Sequence, residues 1–244
     1  MAGALFSWGA MKSGEQAQHL GLDAKIEVSL EFLDTLVRDD GAAGIAVAWT
    51  GGKDSTVVLS LWKHFLQERG LLHEVGLRAL NLDTGCKFQE VLAFRDQLAA
   101  AWGVSLSVFR PQVDLATFPV AEDPVQCCST LKIEPLKRGV REMGLKVLLT
   151  GLRSDEHASR GARKRIEPRS NPTYLQAHPI LHWNEMDIWA YHMSTGLDYC
   201  PLYDQGYRSL GCVPCTQPHP SSERDGRNPD KEKRLGQLRS LGYF

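Results

Sequence analysis

The chain lacks the features that mark secreted and membrane proteins. None of its apolar runs approaches the roughly 18 residues that a membrane-spanning helix requires. Residues 1–22 contain no basic start followed by an apolar stretch and a cleavage site. We therefore expect a cytoplasmic protein that makes no contact with a membrane.

An excess of charge of either sign is also missing. The 244 residues include 28 Lys and Arg against 29 Asp and Glu, which leaves a net charge of −1. Such a chain has no overall attraction to polyanions, so anion binding must come from local clusters of basic side chains. This balance argues only weakly against a patch that binds tRNA, which stays an open alternative.

Cysteine is too scarce and too unevenly spaced for a secreted disulfide scaffold. In a reducing compartment, the six cysteines point instead to metal binding or to a reactive thiol. They are Cys86, Cys127, Cys128, Cys200, Cys212 and Cys215.

The remaining composition is that of a globular protein, with 43% hydrophobic and 23% charged residues and a length typical of one large domain. Short apolar runs alternate with helical patterns along the chain. This alternation predicts an α/β fold with a doubly wound parallel sheet and helices on both faces. The predicted strands are 45–49, 78–83, 105–109 and 146–151, and the predicted helices begin near residues 25, 56, 88, 130 and 184.

Residues 50–55, Thr-Gly-Gly-Lys-Asp-Ser, connect the first strand to a helix. Glycines at the start of a helix aim backbone N–H groups and the positive end of the helix dipole at one point, which favours phosphate. Lys53 adds a positive charge and Ser55 a hydroxyl donor. The spacing differs from the Walker loop and from the dinucleotide fingerprint. The alternative is a glycine turn that serves only tight packing.

Four of the cysteines form a pattern typical of a metal site. Cys127 and Cys128 are adjacent, and Cys212 and Cys215 form a Cys-x-x-Cys turn. Four thiolates suit tetrahedral zinc or a four-iron cluster, and the spacing does not separate the two. Because neighbouring side chains of an extended segment point apart, both adjacent thiols coordinate only if the chain bends or starts a helix at Cys127. A buried pair with an unrelated Cys-x-x-Cys is the alternative.

A basic segment follows the fourth predicted strand and contains Arg153, Arg160, Arg163 and Arg165. Planar guanidinium groups hold sulfate or phosphate through paired hydrogen bonds, so this segment is a candidate anion site. A solvated face balanced by acidic neighbours is the alternative. Asp83, at the end of the second strand, is a candidate to bind a ribose or Mg²⁺, with capping of the next helix as its alternative.

The loop at residues 50–55 resembles the Ser-Gly-Gly-x-Asp-Ser pyrophosphate (PP) loop of adenine-nucleotide alpha-hydrolase-like enzymes. Further motifs resemble the sulfonucleotide (APS/PAPS) reductase family and its relative, the small subunit of heterodimeric ATP sulfurylase. The resemblance covers residues 42–216 and implies an adenine nucleotide at the carboxyl ends of the strands. The further motifs lie at residues 81–85, 127–136, 150–153 and 207–216.

The resemblance also implies a metal centre and a reaction. A Cys-Cys pair followed at long range by Cys-x-x-Cys is the pattern of reductases that carry a [4Fe-4S] cluster. The implied ligands are therefore Cys127, Cys128, Cys212 and Cys215. The reductases attack the sulfur of the sulfonucleotide with a cysteine in a C-terminal Glu-Cys-Gly motif, and thioredoxin completes the reduction.

Two features depart from the reductase pattern. No cysteine follows Cys215 in this sequence, so the usual nucleophile is missing, and Cys86 becomes the candidate because its loop is expected to face the ligand. The alternative for Cys86 is a small loop residue without a catalytic role. Lys53 is typical of loops that bind the pyrophosphate of ATP, and residues 83–90 are more similar to the ATP sulfurylase subunit.

The favoured interpretation is a reductase-family enzyme of sulfur assimilation that binds APS or PAPS, carries a [4Fe-4S] cluster and receives electrons from a thioredoxin-like donor. One alternative is an enzyme that transfers adenylyl groups from ATP with Mg²⁺. Another is a non-catalytic nucleotide- or cluster-binding subunit that needs a partner chain. We also expect a homo-oligomer.

In this interpretation the chain has three parts: an N-terminal lead-in (1–24), a PP-loop nucleotide-binding domain with the cluster cysteines (25–216), and a polar, mobile tail (217–244) that ends in a short docked helix. Cys86 and Lys53 are assigned to catalysis. The residues assigned to nucleotide binding are Thr50, Gly51, Gly52, Asp54, Ser55, Asp83, Gly151, Arg153, Arg160, Arg163 and Arg165.

Overall fold

A six-stranded sheet organises the part of the chain that the computed structural model describes, residues 19–157, 160–161 and 163–243. Its strands are β1 (Ile45–Ala48), β2 (Leu77–Leu82), β3 (Val104–Phe109), β4 (Val147–Leu149), β5 (Ile166–Ser170) and β6 (Thr173–Ala177). They lie in the order β3-β2-β1-β4-β6-β5. All neighbours are parallel except β5 and β6. The predicted α/β fold is confirmed, and the antiparallel edge pair was not foreseen.

Helices connect the strands and cover both faces of the sheet. None of them, within the described ranges, is long and apolar enough to cross a membrane. They are α1 (Leu22–Asp40), α2 (Lys53–Glu68), α3 (Leu72–Val75), α4 (Gln89–Trp102), α5 (Pro124–Cys128), α6 (Glu134–Glu142), α7 (Glu185–Thr195), α8 (Pro229–Lys233) and α9 (Leu235–Ser240), with a π-helical turn at Ser129–Ile133.

Strand β1 is apolar on both faces because helices cover both. Ile45 and Val47 pack into one core with α1, α2 and α7. Ala46 and Ala48, which alternate with them, pack into a second core with α6. A strand buried on both sides appears in the sequence as a continuous apolar run and not as an alternating one.

The topology places three loops at one edge of the sheet. β1 lies between β2 and β4, and all three strands run in the same direction. Their carboxyl ends therefore meet, and the loops after β1, β2 and β4 open toward one point. The strand order reverses direction between β1 and β4, which is where doubly wound sheets hold their ligands.

The C-terminal region differs from the predicted mobile tail. Glu223, Arg224 and Lys231 are buried. Glu223 pairs with Lys53, Arg224 pairs with Glu232, and Lys231 donates a hydrogen bond to the Tyr243 hydroxyl. Leu238 is fully buried on α9, which is the predicted short docked helix. The region folds with few apolar residues because ion pairs supply contacts that hydropathy does not reveal. The lead-in lies mostly outside the described residues, and α1 begins at Leu22.

Two helical glycines provide a test of packing against the sheet. A Cβ at Gly139 on α6 would lie 2.8 Å from both Leu80 Cδ1 and Phe109 Cδ2, whereas one at Gly236 on α9 would meet nothing within 4 Å. We expect Gly139→Ala to lower the free energy of unfolding by about 1–3 kcal/mol through overpacking. Gly236→Ala is expected to raise it by up to about 1 kcal/mol. Thermal and urea unfolding measure both, and equal effects would contradict this account of α6.

Candidate functional site

A cavity opens at the carboxyl ends of β1, β2 and β4, where the topology brings their loops together. Its wall also includes the π-helical turn and residues of the C-terminal region. Six of the residues predicted to bind nucleotide line this cavity: Thr50, Gly52, Asp54, Ser55, Gly151 and Arg160.

The loop after β1 is held in shape by its own hydrogen bonds. Gly51 has a φ of 80°, in the region that favours glycine, and this turn leads into α2. The Thr50 N–H donates to Ser55 Oγ over 3.2 Å, and the Gly52 N–H donates to Thr50 Oγ1 over 3.3 Å. Gly51 therefore shapes the turn and does not itself line the cavity.

The loop after β4 passes directly over the start of α2. A Cβ at Gly151 would lie 2.6 Å from Ser55 N and 2.7 Å from Asp54 C, which are backbone atoms that cannot move aside. Only glycine permits this approach. It brings the next residues, Leu152 and Arg153, against the N-terminus of α2.

Lys53 and Arg153 form a buried cation pair beside this approach. Both side chains are fully buried. Arg153 donates to Asp54, to Asp155 and to Glu223, and Lys53 donates to Glu223 and to the carbonyl oxygen of Arg208. Burial would lower the pKa of Lys53, but Asp54, the Tyr203 hydroxyl and Glu223 outweigh it and raise the pKa. Both groups are therefore cations enclosed by carboxylates, and neither lines the cavity.

A second group of cations faces the cavity directly. We call Lys87, Lys132 and Arg227 the basic wall. Arg227 donates only to neutral oxygen atoms, with the Leu210 carbonyl at 2.7 Å. Burial and the neighbouring Lys132 lower the pKa of Lys87 to about 8. Within residues 19–157, 160–161 and 163–243, the wall differs from the Lys53–Arg153 pair because Cys212 and Tyr243, and not carboxylates, are the main anionic neighbours of its lysines. It is therefore the part of the cavity best suited to an added anion.

Apolar side chains also line the cavity. They are Ala48, Leu82, Leu136 and Leu152. A cavity lined by both apolar side chains and a few cations matches a flat base joined to an anionic tail.

Four cysteines border the basic wall. Cys127 and Cys128 occupy the last turn of α5, which begins at Pro124, close to the helix start that coordination by adjacent cysteines requires. Thr84 Oγ1 lies 3.3 Å from Cys212 Sγ. Burial raises the pKa of the Cys212 thiol, but Lys132 and Lys87 outweigh it and bring the pKa to about 6. Cys127 is also an electrostatic neighbour of Cys128, Cys212 and Cys215.

The four thiols are neighbours without being arranged around one ion. In the described part of the chain, no three His, Cys, Asp or Glu side chains form a group that could hold a single metal ion. All six cysteines are free thiols. Cys200 is buried in the main core, away from this group, as the sequence suggested.

Cys86 and Asp83 lie on the loop after β2 but do not line the cavity. The Cys86 thiol is half-buried, and burial together with Cys212 and Cys215 raises its pKa. Asp83 accepts hydrogen bonds from Arg110 Nε and from the Gly85 N–H, both at 3.0 Å. Asp83 therefore holds its own loop, which is nearer to the capping alternative than to a ligand contact. Thr84 and Lys87 of the same loop do reach the cavity.

Arg163 and Arg165 were predicted to bind the anion, but the structure carries them away from the cavity. Arg163 Nε donates to Glu167 Oε1 over 2.6 Å. The Arg165 guanidinium lies 4.1 Å from the centre of the Phe32 ring. Both precede the edge strand β5, so the basic segment turns outward after Arg160. Charge density in the sequence did not reveal that turn.

Several cavity residues were missed or given no role in the sequence analysis. Tyr203, Arg224, Arg227 and Tyr243 come from the region after α7, most of it interpreted as a tail, as does Glu223, which binds Lys53 behind the cavity wall. The density of mixed charge at residues 223–234 is equally typical of a solvated segment, so the sequence held no local signal for these positions. In the sequence, Lys87 was noted only as a member of the motif at residues 83–90.

The sheet order, the glycine loop at its reversal point and the cavity beside it define a doubly wound α/β protein with a candidate ligand site at the carboxyl ends of its strands. Residues 44–218 match the model of the phosphoadenosine phosphosulfate reductase domain. The chain therefore belongs to this family.

Curated relatives and solved structures support the assignment. The chain is 32% identical to the adenosine 5'-phosphosulfate reductase of Chelativorans sp. over 86% of this chain and 82% of that protein. It is 34% identical to adenosine 5'-phosphosulfate reductase 1 of Bacillus subtilis over 60% and 66%. The phosphoadenylyl-sulfate reductase of Candida auris superposes with a TM-score of 0.65 at 20% identity, covering 86% of this chain and all of that one.

A second group of solved structures shares the fold. Yeast FAD synthetase superposes with a TM-score of 0.65 at 20% identity, over 88% of this chain and 76% of that one. At this identity the similarity concerns the fold alone.

The close approach at Gly151 is testable. We expect Gly151→Ala to lower the free energy of unfolding by about 1–3 kcal/mol, because the new methyl group overlaps backbone atoms of α2. The same variant should weaken AMP binding, since the loops on either side of the cavity are forced apart. Gly21→Ala, where a Cβ meets nothing within 4 Å, is the control. Unaltered unfolding and AMP titration curves for Gly151→Ala would contradict the geometry.

Proposed function

We propose that this chain is an adenylyl-sulfate (APS) reductase that carries a [4Fe-4S] cluster. The observation that carries the proposal is the position of the basic wall between the nucleotide cavity and the four cysteines. The relatives named adenosine 5'-phosphosulfate reductase support the substrate.

The cavity suggests an orientation for the nucleotide. The apolar lining residues Ala48, Leu82, Leu136 and Leu152 suit the adenine base. The glycine loop and Ser55 suit the α-phosphate, because backbone donors and the start of α2 lie there. The sulfate end then points to the basic wall and not to Arg153, whose charge is already paired with carboxylates.

The four cysteines fit the cluster by their chemistry. Thiolates are the ligands of iron–sulfur clusters, and Lys132 and Lys87 favour the thiolate form of Cys212. A cluster of several atoms holds its ligands farther apart than one ion does, in keeping with thiols that neighbour each other without enclosing a single-ion site. When bound to Cys127, Cys128, Cys212 and Cys215, the cluster supplies an electrostatic influence at the sulfate end.

The reaction requires a thiolate that attacks the sulfur of APS. In the proposed step the Cys86 thiolate forms a bond to sulfur, the bond from sulfur to the bridging oxygen breaks, and AMP leaves. A dithiol donor then attacks Cys86 Sγ, releases sulfite and closes to its own disulfide. Cys86 lies between Thr84 and Lys87, which both line the cavity, so a shift of this loop presents its thiol.

The role of Cys86 is tested by sulfite release from APS with dithiothreitol as donor. Cys86→Ser is expected to lower the rate by at least about 1000-fold, because a hydroxyl group is a poor nucleophile at sulfur. AMP binding should be unchanged. Cys200→Ala, which alters a core cysteine, is the control for loss of a thiol. Full sulfite production by Cys86→Ser would assign the attack to the donor thiol itself.

The metal centre is tested by iron and zinc analysis of protein purified without oxygen. Replacing both Cys212 and Cys215 with Ser is expected to remove iron and its visible absorbance, whereas Cys86→Ser should retain both. Iron that persists in the double variant would contradict this ligand set. Zinc in place of iron in the unaltered protein would contradict the cluster.

Adenylyl transfer from ATP with Mg²⁺ is the second candidate, and Lys53 is the observation that favours it. The two reactions differ in product, since APS reduction releases sulfite and adenylyl transfer releases pyrophosphate. In the structure, however, the Lys53 ammonium group contacts Glu223 and is shielded from the cavity.

A further inference from the structure

The ion pair between Lys53 and Glu223 joins the glycine loop to the C-terminal region. Lys53 stands at the position that would contact a pyrophosphate chain, at the first residue of α2. Its ammonium group donates to Glu223 Oε1 and to the Arg208 carbonyl oxygen and is fully buried. The Glu223 carboxylate thus neutralises the positive charge of Lys53, which a phosphate would otherwise do.

The second carboxylate oxygen of Glu223 binds the other buried cation, Arg153. Glu223 Oε2 accepts from Arg153 Nη2, so one carboxylate bridges both members of the Lys53–Arg153 pair. Bridging of two cations by two oxygen atoms of one anion is the arrangement in which a phosphate would bind them. Glu223 therefore acts as an internal anion in this position.

A hydroxyl group also binds the backbone N–H of Lys53. The Lys53 N–H, at the start of α2, donates to the Tyr203 hydroxyl over 2.9 Å. This N–H belongs to the set of helix-terminal donors that bind phosphate oxygens in glycine loops. The charged and the backbone donors of Lys53 are thus both engaged by the protein.

The occupied pair lies immediately behind the cavity wall. Gly52 and Asp54, on either side of Lys53, line the cavity, and so does Arg224, which follows Glu223. A longer phosphate chain that reached past this wall would therefore compete with Glu223 for Lys53 and Arg153. Glu156, which also lines the cavity, adds a further negative charge on this side.

We propose that Glu223 is a specificity-determining residue that occupies the Lys53–Arg153 pair and thereby excludes nucleotides carrying β- and γ-phosphates. The inference rests on the proposed function, because it explains how a loop with the lysine of ATP-binding enzymes selects a shorter tail that ends in sulfate. Removing the charge of Glu223 leaves Asp54 and Asp155 as partners of the pair and takes away the one carboxylate that bridges both cations, so pyrophosphate meets one competing anion fewer.

Burying the charged carboxylate of Glu223 at this position is electrostatically unfavourable. Burial and the nearby charge of Asp54 raise the pKa of its carboxyl group, although Lys53 and Arg153 act in the opposite direction. A glutamine of the same shape removes this unfavourable burial of charge, and Asp54 and Asp155 remain to compensate Lys53 and Arg153. For this reason Glu223→Gln is expected to keep the fold while removing the competing anion.

The test compares inorganic pyrophosphate, ATP, AMP and APS by titration calorimetry of the protein with its metal centre loaded. We expect Glu223→Gln to bind pyrophosphate and ATP at least about tenfold more tightly than the unaltered protein. AMP and APS should change by less than about threefold, since neither reaches the pair. Asp225→Asn, which removes an equal charge from an exposed position in the same turn, is the matched control and should change none of the four.

Three outcomes overturn the proposal. They are unchanged pyrophosphate and ATP binding in Glu223→Gln, an equal gain for all four ligands, and an equal gain in Asp225→Asn. If Glu223→Gln fails to fold by circular dichroism, Glu223→Asp withdraws the carboxylate by one methylene group and keeps its charge. A gain of about threefold for pyrophosphate is expected there, and no gain overturns the proposal.

The same titrations separate this inference from the proposed function. If the unaltered protein binds neither AMP nor APS, the reductase proposal fails, while the pyrophosphate comparison still decides the role of Glu223. If APS binds and is reduced but Glu223→Gln gains nothing for pyrophosphate, the proposed function stands and the inference fails.

Discussion

A buried network of charges ties the candidate site together. Lys53 and Asp54 come from the start of α2, Arg153 from the loop after β4, and Glu223 from the C-terminal region. Buried charges are stable only when partners surround them, and removal of one partner leaves another uncompensated. These three distant segments therefore form as one unit, and the C-terminal region is part of the site and not an appendage.

The two groups of cations at and behind the cavity wall differ in the side chains that surround them. Lys53 and Arg153 are surrounded by carboxylates, whereas Lys87 and Lys132 have each other, Cys212 and Tyr243 as their principal electrostatic neighbours. Similar residue types thus differ in their capacity for an added anion. The group that retains this capacity is the one beside the cysteines. This arrangement links nucleotide binding to the metal centre in the proposed function.

Counting charge along the sequence was a poor guide to position within the site. Arg160, Arg163 and Arg165 lie within six residues, yet only Arg160 lines the cavity. Arg163 is paired with Glu167, and Arg165 packs on Phe32. Conversely, the polar composition after residue 216 predicted a mobile segment, because hydropathy does not register the ion pairs that bury Glu223 and Arg224.

The sequence by itself determined the α/β sheet, the glycine loop and which four cysteines lie near one another. These features are written in local patterns: apolar runs of strand length, helical spacing, and short motifs whose members are close along the chain. Only the tertiary structure decided which charges face the cavity and which neutralise each other. Contacts such as that of Lys53 with Glu223 join residues 170 positions apart, and no local pattern encodes such a distance.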